Sequence, residues 1–309
     1  MSLEALLRKA IFAVAGNRRV RSIFEIYGMR VGVSRFVAAE SLEDTVQRVQ
    51  SLNGEGLMVT LDFLGESVAN KALARQAADM VVLTMKTIRK YGLQANVSVK
   101  LTQLGLQIDP YFCLQNMHRI TAKAKELGQF VRIDMEDSFV TGETLDIFQI
   151  LLHKYGKEHI GIVIQSYLYR SEQDLRKLGA QQVNVRIVKG AYKESADVAF
   201  QSKKDVDANY MKLVERHMEN GCYTAVATHD EKLIRKVKRF VDERKITRDR
   251  FEFQMLYGVA GKLQRRLVKE GYRVRIYTPF GKQWYPYFTR RIAERPANLW
   301  FVIKSMFRK

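Results

Sequence analysis

Cysteine is nearly missing from this chain. Cys113 and Cys222 are the only two in 309 residues, too few for a disulfide framework. Cys113 has no CxxC partner, so a reducing compartment is the simpler reading. Proline is scarce, at four residues, and no low-complexity tract occurs. With 47% hydrophobic residues, that excludes a disordered or collagen-like chain. No apolar run approaches the roughly 18 to 20 residues that span a bilayer. No GxGxxG follows a strand-like run, so a Rossmann dinucleotide site is absent. His118, His153, His159 and His217 show no ligand spacing such as HExxH, and no metal site is expected. Acidic residues are outnumbered: 52 Lys and Arg stand against 33 Asp and Glu, a net charge of +19. Residues 260–309 hold 13 of those bases and two acids, Glu270 and Glu294. Such a basic end attracts phosphates, nucleic acid or an anionic membrane surface, and charge alone does not choose among them.

The N-terminus is open to two readings. Arg8 and Lys9 precede a short apolar run ending in Ala13-Val14-Ala15, as a signal peptide does. Leu3, Leu6, Leu7, Ala10, Ile11 and Val14 also recur at helical spacing, with Glu4, Arg8 and Lys9 on the other face. The second pattern is read here as an amphipathic helix.

After roughly fifty helical residues, short β-branched or aromatic runs alternate with longer segments of helical period. The runs are 57–63 (LMVTLDF), 96–101 (NVSVKL), 130–134 (FVRID) and 161–165 (GIVIQ). They continue at 183–189 (VNVRIVK), 223–228 (YTAVAT), 251–256 (FEFQML) and 273–277 (RVRIY). Each gap accommodates the crossover helix that parallel strands require. Gly92, Gly128, Gly156, Gly179, Gly221 and Gly271 stand a few residues before a strand, where helix C-cap glycines belong. Eight βα units in succession predict an α/β fold of (β/α)8 TIM type. An open doubly wound sheet is the competing topology. The expected division is a helical segment 1–50, a barrel 51–298 and a basic amphipathic tail 299–309.

Catalytic groups of such barrels stand at the C-terminal ends of the strands. Those ends carry Asp62, Lys100, Asp134 with Glu136, Gln165, Lys189 with Tyr192, Thr228 with His229, Gln254 with Tyr257, and Tyr277. Polar residues occur wherever strands exit into loops, but all eight ends carry one, and two lysines lie in or beside apolar strands. A strand is too apolar for a lone cation, so Arg186 and Lys189 need polar partners or a ligand. Alternation puts Arg186 on the face opposite Val183, Val185 and Ile187. An ion pair inside the barrel mouth and a ligand contact both satisfy this. Gly190 and Ala191 let backbone approach something bulky, which points to a flat or phosphorylated cofactor. His229 suits either donation to a ligand or a scaffold bond. Pro286 opens a helix that Pro296 stops; within it Tyr287, Arg290, Arg291 and Glu294 share a face. Adjacent guanidiniums can grip one carboxylate or phosphate bidentately, although a solvated face of ion pairs has the same pattern.

With these residues in view, the sequence resembles the flavin-dependent proline dehydrogenase family, closest to its monofunctional bacterial form. The resemblance covers most of residues 27–298 and rests on LDFLGES, VSVKLTQLG, RIDMEDS, QSYLYR, VRIVKGAY, ATHD, FEFQMLYG and YTPFGKQWYPYFTRRIAERPAN. It implies a distorted barrel, with N-terminal helices and a last helix over the strand ends, that holds FAD. It also implies oxidation of L-proline to Δ1-pyrroline-5-carboxylate, with electrons passed to a membrane quinone. By motif, Arg290 and Arg291 resemble the clamp on the substrate carboxylate, and Glu66 the gate partner of Arg290. Lys100, Asp134, Tyr277 and Glu294 resemble the remaining groups around proline, while Tyr192 and Tyr287 stand at the family's pocket aromatics. Arg186 resembles the residue near the flavin's redox nitrogen and Gln165 one on the ring edge. Lys189, Thr228 and His229 resemble groups on the phosphate and ribitol side, beside the backbone of Gly190 and Ala191.

A quinone acceptor requires access to a bilayer without spanning it. Leu299, Trp300, Ile303 and Phe307, flanked by Lys304, Arg308 and Lys309, suit an interfacial helix or a tail packed on the barrel. The expected location is cytoplasmic, peripherally on the inner face of the cell membrane. Two rivals remain at this point. One is a Schiff-base aldolase or transaldolase using Lys100 or Lys189 on a phosphorylated substrate. The other is a nucleic-acid module, which the clustering of aromatics at strand ends argues against; no nucleic-acid partner is expected.

Overall fold

The structure, a computed structural model, describes residues 28–29, 32–65 and 68–294, excluding the side chains of residues 293 and 294. Its strands are β1 (Met58–Phe63), β2 (Ala95–Val99), β3 (Val131–Ile133), β4 (Ile160–Gln165), β5 (Val185–Val188), β6 (Thr224–Ala227), β7 (Phe251–Leu256) and β8 (Val274–Phe280). All eight pair in parallel in chain order, and β8 closes on β1 through pairs from Met58 with Arg275 to Phe63 with Phe280. The closed order excludes the doubly wound sheet. Helix α1 (Leu42–Gly54) precedes the barrel. Helices α2 (Lys71–Lys90), α3 (Pro110–Leu127), α4 (Thr141–Tyr155), α5 (Ser171–Ala180), α6 (Lys203–Glu219), α7 (Glu231–Glu243) and α8 (Gly261–Lys269) are the crossovers. Helix α9 (Tyr285–Glu294) follows β8.

Local chemistry starts these helices where they start. Ser41, Asn70, Asp109, Ser202 and Asp230 are N-caps whose side chains accept first-turn backbone N–H groups. Pro110 occupies the first turn of α3, where its missing N–H costs nothing. Helix α1 runs through the expected boundary at residue 50, and Leu42, Val46 and Val49 join the main core.

That core lies between barrel and helices. Val59, Leu61, Val97, Val99, Val131, Ile133, Ile162 and Ile164 are buried there with the apolar stripes of the helices, such as Val81, Met85 and Ile88 of α2. The alternate strand positions hold Thr60, Asp62, Ser98, Arg132, Gln165, Arg186, Glu252 and Gln254, all buried. The strands are therefore apolar toward the helices and polar toward the axis. Arg186 sits on the axial face, opposite Val185 and Ile187, as alternation requires. A second, smaller core joins Val33, Phe36, Val37 and Leu64 to Trp284, Tyr285, Tyr287, Phe288 and Ile292. Trp284 Nε1 also donates to Glu40 Oε1 (2.7 Å). Since Leu64 directly follows β1, this core fastens α9 over the C-terminal side of the barrel.

Two local expectations are corrected. Gly179 is not a C-cap: it lies inside α5, and Gln182 takes the left-handed turn (φ 57°). A Cβ on Gly179 would stand 2.9 Å from the Asn220 side chain, so close packing explains this glycine. The eighth strand also extends beyond residue 277 to Phe280, because Pro279 and Phe280 pair with Asp62 and Phe63.

His217 gives a testable feature of the scaffold. It is buried in α6, hydrogen-bonded through Nε2 to Val183 O (3.0 Å), and burial pushes its pKa down to about 4. The unfolded chain takes up that proton near pH 6.5. Stability linked to His217 is therefore full above pH 6.5 and declines by roughly 3 kcal/mol as pH falls toward 4. The expected result is that His217→Gln is less sensitive to that pH interval than wild type, measured by urea unfolding at pH 7 and pH 5.

Candidate active site

Seven side chains interlock at the upper end of the barrel axis: Asp62, Ser98, Arg186, Gln254 and Tyr277 from five strands, with Lys100 just beyond β2 and Asp134 just beyond β3. Lys100 Nζ donates to both carboxylate oxygens of Asp62 (3.0 and 3.1 Å) and to the Tyr277 hydroxyl (3.1 Å), and lies 3.5 Å from Asp134 Oδ2. Tyr277 donates to Asp134 Oδ2 (2.7 Å). Asp134 Oδ1 accepts from Ser98 Oγ (2.7 Å) and Arg186 Nη1 (2.6 Å), and Arg186 Nε donates to Gln254 Oε1 (2.5 Å). The Tyr277 ring faces both cations, at 5.8 Å from Lys100 Nζ and 5.2 Å from the Arg186 guanidinium.

The two carboxylates differ in their surroundings. Burial pushes the Asp62 carboxyl up, although Lys100 opposes it. Burial also acts to raise Asp134, but Arg186 and then Lys100 outweigh it and hold the group below the usual aspartate value. Burial, reinforced by both carboxylates, pushes the Tyr277 hydroxyl well up. Tyr277 thus remains a proton donor, and Asp134 an ionised anchor between two cations. The four charged groups balance, so a substrate carboxylate entering here needs cations from another element.

The remaining strand ends surround this network. Gln165 Nε2 donates to Glu136 O (2.7 Å), and Glu136 in turn accepts from the backbone and hydroxyl of Thr102. Lys189 pairs with Asp207 (2.5 Å) and Asp230 (3.4 Å). Thr228 Oγ1 accepts from Asp230 N (3.1 Å). His229 Nε2 accepts from Leu256 N (3.0 Å), which assigns the ring proton of the neutral imidazole to Nδ1. At Gly190 the backbone has φ 116°, and a Cβ would lie 2.3 Å from the Tyr167 ring. Glycine is required there by the turn and by Tyr167. Ala191 is exposed and Tyr192 is 38% exposed on the same loop. Glu194 ties this loop to the one after β3, accepting from Ser138 N (2.8 Å) and Ser138 Oγ (2.6 Å). On α9, Tyr287 is buried, Arg290 and Arg291 are half-buried, and the Arg291 guanidinium stacks over the Tyr287 ring at 5.3 Å.

A family model described as proline dehydrogenase matches residues 45–304. The chain belongs to the proline dehydrogenase family. It is 45% identical over 309 residues to the proline dehydrogenase of Deinococcus radiodurans, covering 99% of each chain. It is 44% identical to proline dehydrogenase 2 of Bacillus subtilis, covering 92% of this chain and 93% of that one. Among solved structures, it resembles proline utilization A from Bdellovibrio bacteriovorus inactivated by N-propargylglycine. That likeness has a TM-score of 0.79 at 25% identity and covers 85% of this chain but only 32% of that longer one.

Within this proline dehydrogenase fold, Lys100, Asp134, Arg186 and Tyr277 form one hydrogen-bonded network. Gln165, Lys189, Gly190, Ala191, Thr228 and His229 stand at strand ends on the same face. Glu66, the side chain of Glu294 and the tail 299–309 lie outside the described residues. Sequence reading placed Asp62 and Gln254 at strand ends without a specific role and passed over Ser98; all three complete the network. Their signal is a polar residue two positions from another in an apolar strand: Thr60 with Asp62, Ser98 with Lys100, Glu252 with Gln254. The aldolase reading has no support. The family is a different one, and both candidate lysines are engaged in ion pairs with two carboxylates each. Among the described residues no helix is long and apolar enough to cross a membrane.

Proposed function

We propose that this chain is a proline dehydrogenase that oxidises L-proline to Δ1-pyrroline-5-carboxylate with FAD. The observation that carries the reading is the largely buried Asp62–Lys100–Tyr277–Asp134–Arg186 network at the barrel mouth of a proline dehydrogenase family member. Loss of a hydride from C5 and a proton from the ring nitrogen leaves the C=N bond of the product. FAD, when bound, supplies the hydride acceptor. The donor set fits such a group: Arg186 Nη2 is buried with no hydrogen-bond partner among the described residues, and His229 carries its proton on Nδ1. In this reading Arg186 and Gln165 meet the ring, while Lys189, Thr228, His229 and the backbone of Gly190 and Ala191 meet the rest of the cofactor.

The chain's own groups then have distinct tasks. Arg290 and Arg291 bind the substrate carboxylate, supplying the cations that the balanced network beneath cannot spare. Lys100, Asp134 and Tyr277 hold the pyrrolidine ring in a fixed pose, the positioning contribution to the rate. Tyr192 and Tyr287 line the pocket. Arg186, preset by Asp134 and Gln254, favours negative charge developing on the ring beside it. Glu66 closing on Arg290, with Glu294 orienting the pair, would exclude water and strengthen these contacts. Purified holoprotein is expected to be yellow and to bleach on anaerobic addition of L-proline; a colourless protein, or a spectrum indifferent to proline, overturns the reading.

The acceptor we propose is a membrane quinone, reached by peripheral docking on the anionic inner face of the cell membrane through the basic tail 299–309, with residues 1–50, 51–298 and 299–309 as the working divisions. The +11 charge of residues 260–309 supports this. Deleting 299–309 should abolish sedimentation with anionic vesicles while leaving proline-dependent dye reduction intact; unchanged sedimentation removes the docking role.

A further inference from the structure

At the opposite end of the barrel, where the strands begin, lies a cavity of about 620 Å³. The side chains around it include Arg89, Arg132 and Arg275, against one carboxylate, Glu252. That carboxylate is already engaged: Arg275 Nε (2.8 Å), Tyr223 Oη (3.0 Å) and Gln254 Nε2 (2.5 Å) all donate to it. Arg275 and Glu252 therefore neutralise one another, which leaves Arg132.

Arg132 is 1% exposed and makes no ion pair among the described residues. Its guanidinium donates only to neutral oxygens: Ile162 O (3.1 Å), Asn184 O (2.7 Å) and Asn184 Oδ1 (2.6 Å). Its Nε is buried without a hydrogen-bond partner. The half-buried Phe130 ring covers it at 4.8 Å. Burial and then the Arg186 cation work against its charge, and the carboxylates of Glu252 and Asp134, neither within ion-pair distance, offset this only in part. A buried cation with neutral partners is costly, and an anion beside it removes much of that cost. Arg89, exposed at the end of α2, puts a second positive charge at the cavity rim.

We propose that this cavity binds a small anion, a phosphate or a carboxylate, which enters past Arg89 and becomes the missing counter-charge of Arg132 on displacement of the Phe130 ring. The site is separate from the catalytic reading, since Arg132 lies one layer below Asp134 on the axial face of β3.

The test is thermal unfolding of the holoprotein in low-millimolar inorganic phosphate or succinate, against chloride at equal ionic strength. The anion of the right chemistry at tenfold its Kd is expected to raise Tm by roughly 2–4 °C. Phosphate acting alone identifies a phosphoryl ligand and succinate acting alone a carboxylate. Arg89→Gln should weaken the effect about tenfold, the loss of one charge-assisted contact. Arg132→Met should abolish it and leave the protein at least as stable without anion. If Arg132→Met does not fold, Arg89→Gln decides. No shift beyond chloride with either anion, or an equal shift in Arg89→Gln, overturns the proposal.

Discussion

Asp134→Asn is expected to lose about 3–5 kcal/mol of folding stability, the range for breaking a buried ion pair by removing one partner. Asparagine keeps the shape of the side chain but withdraws the charge that Arg186 (2.6 Å) and Lys100 (3.5 Å) share. Arg186 then keeps only neutral hydrogen-bond partners among the described residues, such as Gln254 and Ser98. The sign of the pH dependence follows from the folded pKa of Asp134, which is depressed below 3.8. Its stabilisation is present at all pH values above 3.8 and is lost as pH falls through the folded value. The gap between wild type and variant should therefore be constant from pH 5 to 8 and close in strong acid. Turnover should fall roughly 100-fold, because Arg186 and Tyr277 lose the group that orients them. Urea unfolding and steady-state kinetics measure the two effects. A variant within 1 kcal/mol of wild type would show that the network is not a unit.

The arginine pair of α9 should behave in the opposite way. Arg290→Met and Arg291→Met are each expected to lower kcat/KM for L-proline by roughly 10- to 100-fold, since a charge-assisted hydrogen bond contributes about 1.5–3 kcal/mol. The change should lie mainly in KM, because a carboxylate clamp binds ground state and transition state alike. Folding stability should move little for Arg290→Met. Arg291 stacks on Tyr287, and its replacement removes a contact of about 0.5–1 kcal/mol. Together the variants are expected to separate two kinds of charge: one embedded in the barrel, where loss costs mainly stability, and one on an added helix, where loss costs mainly substrate binding. Normal KM in both variants would exclude the clamp.

Particular residues show how far one-dimensional reading reaches. The strand at 251–256 was legible to the residue, because β-branched and aromatic runs bounded by helical segments have no other compact solution. Arg186 was legible as an unusual cation. Its partners were not: Asp134 is 52 positions away and Gln254 68, and parity along a strand says which face a residue takes but not which residue faces it. Gly179 misled because a glycine near a helix end serves either a left-handed turn or close packing, and only the position of Asn220 distinguishes them. Arg132 attracted no notice, since an arginine in FVRID reads as an ordinary strand residue until its surroundings are known.

By itself, the amino-acid order determined the eight βα units, the polar residue at every strand end and the motifs that mark a proline dehydrogenase. These are local properties, set by side-chain periodicity and by residue types at short spacing. The tertiary structure alone decided that the barrel closes, that Asp134 is the hub joining Arg186, Tyr277 and Lys100, and that Arg132 is buried with no ion-pair partner among the described residues. Those facts depend on distances across the axis between strands remote in sequence, and in a buried setting such distances determine whether a charge stabilises or costs.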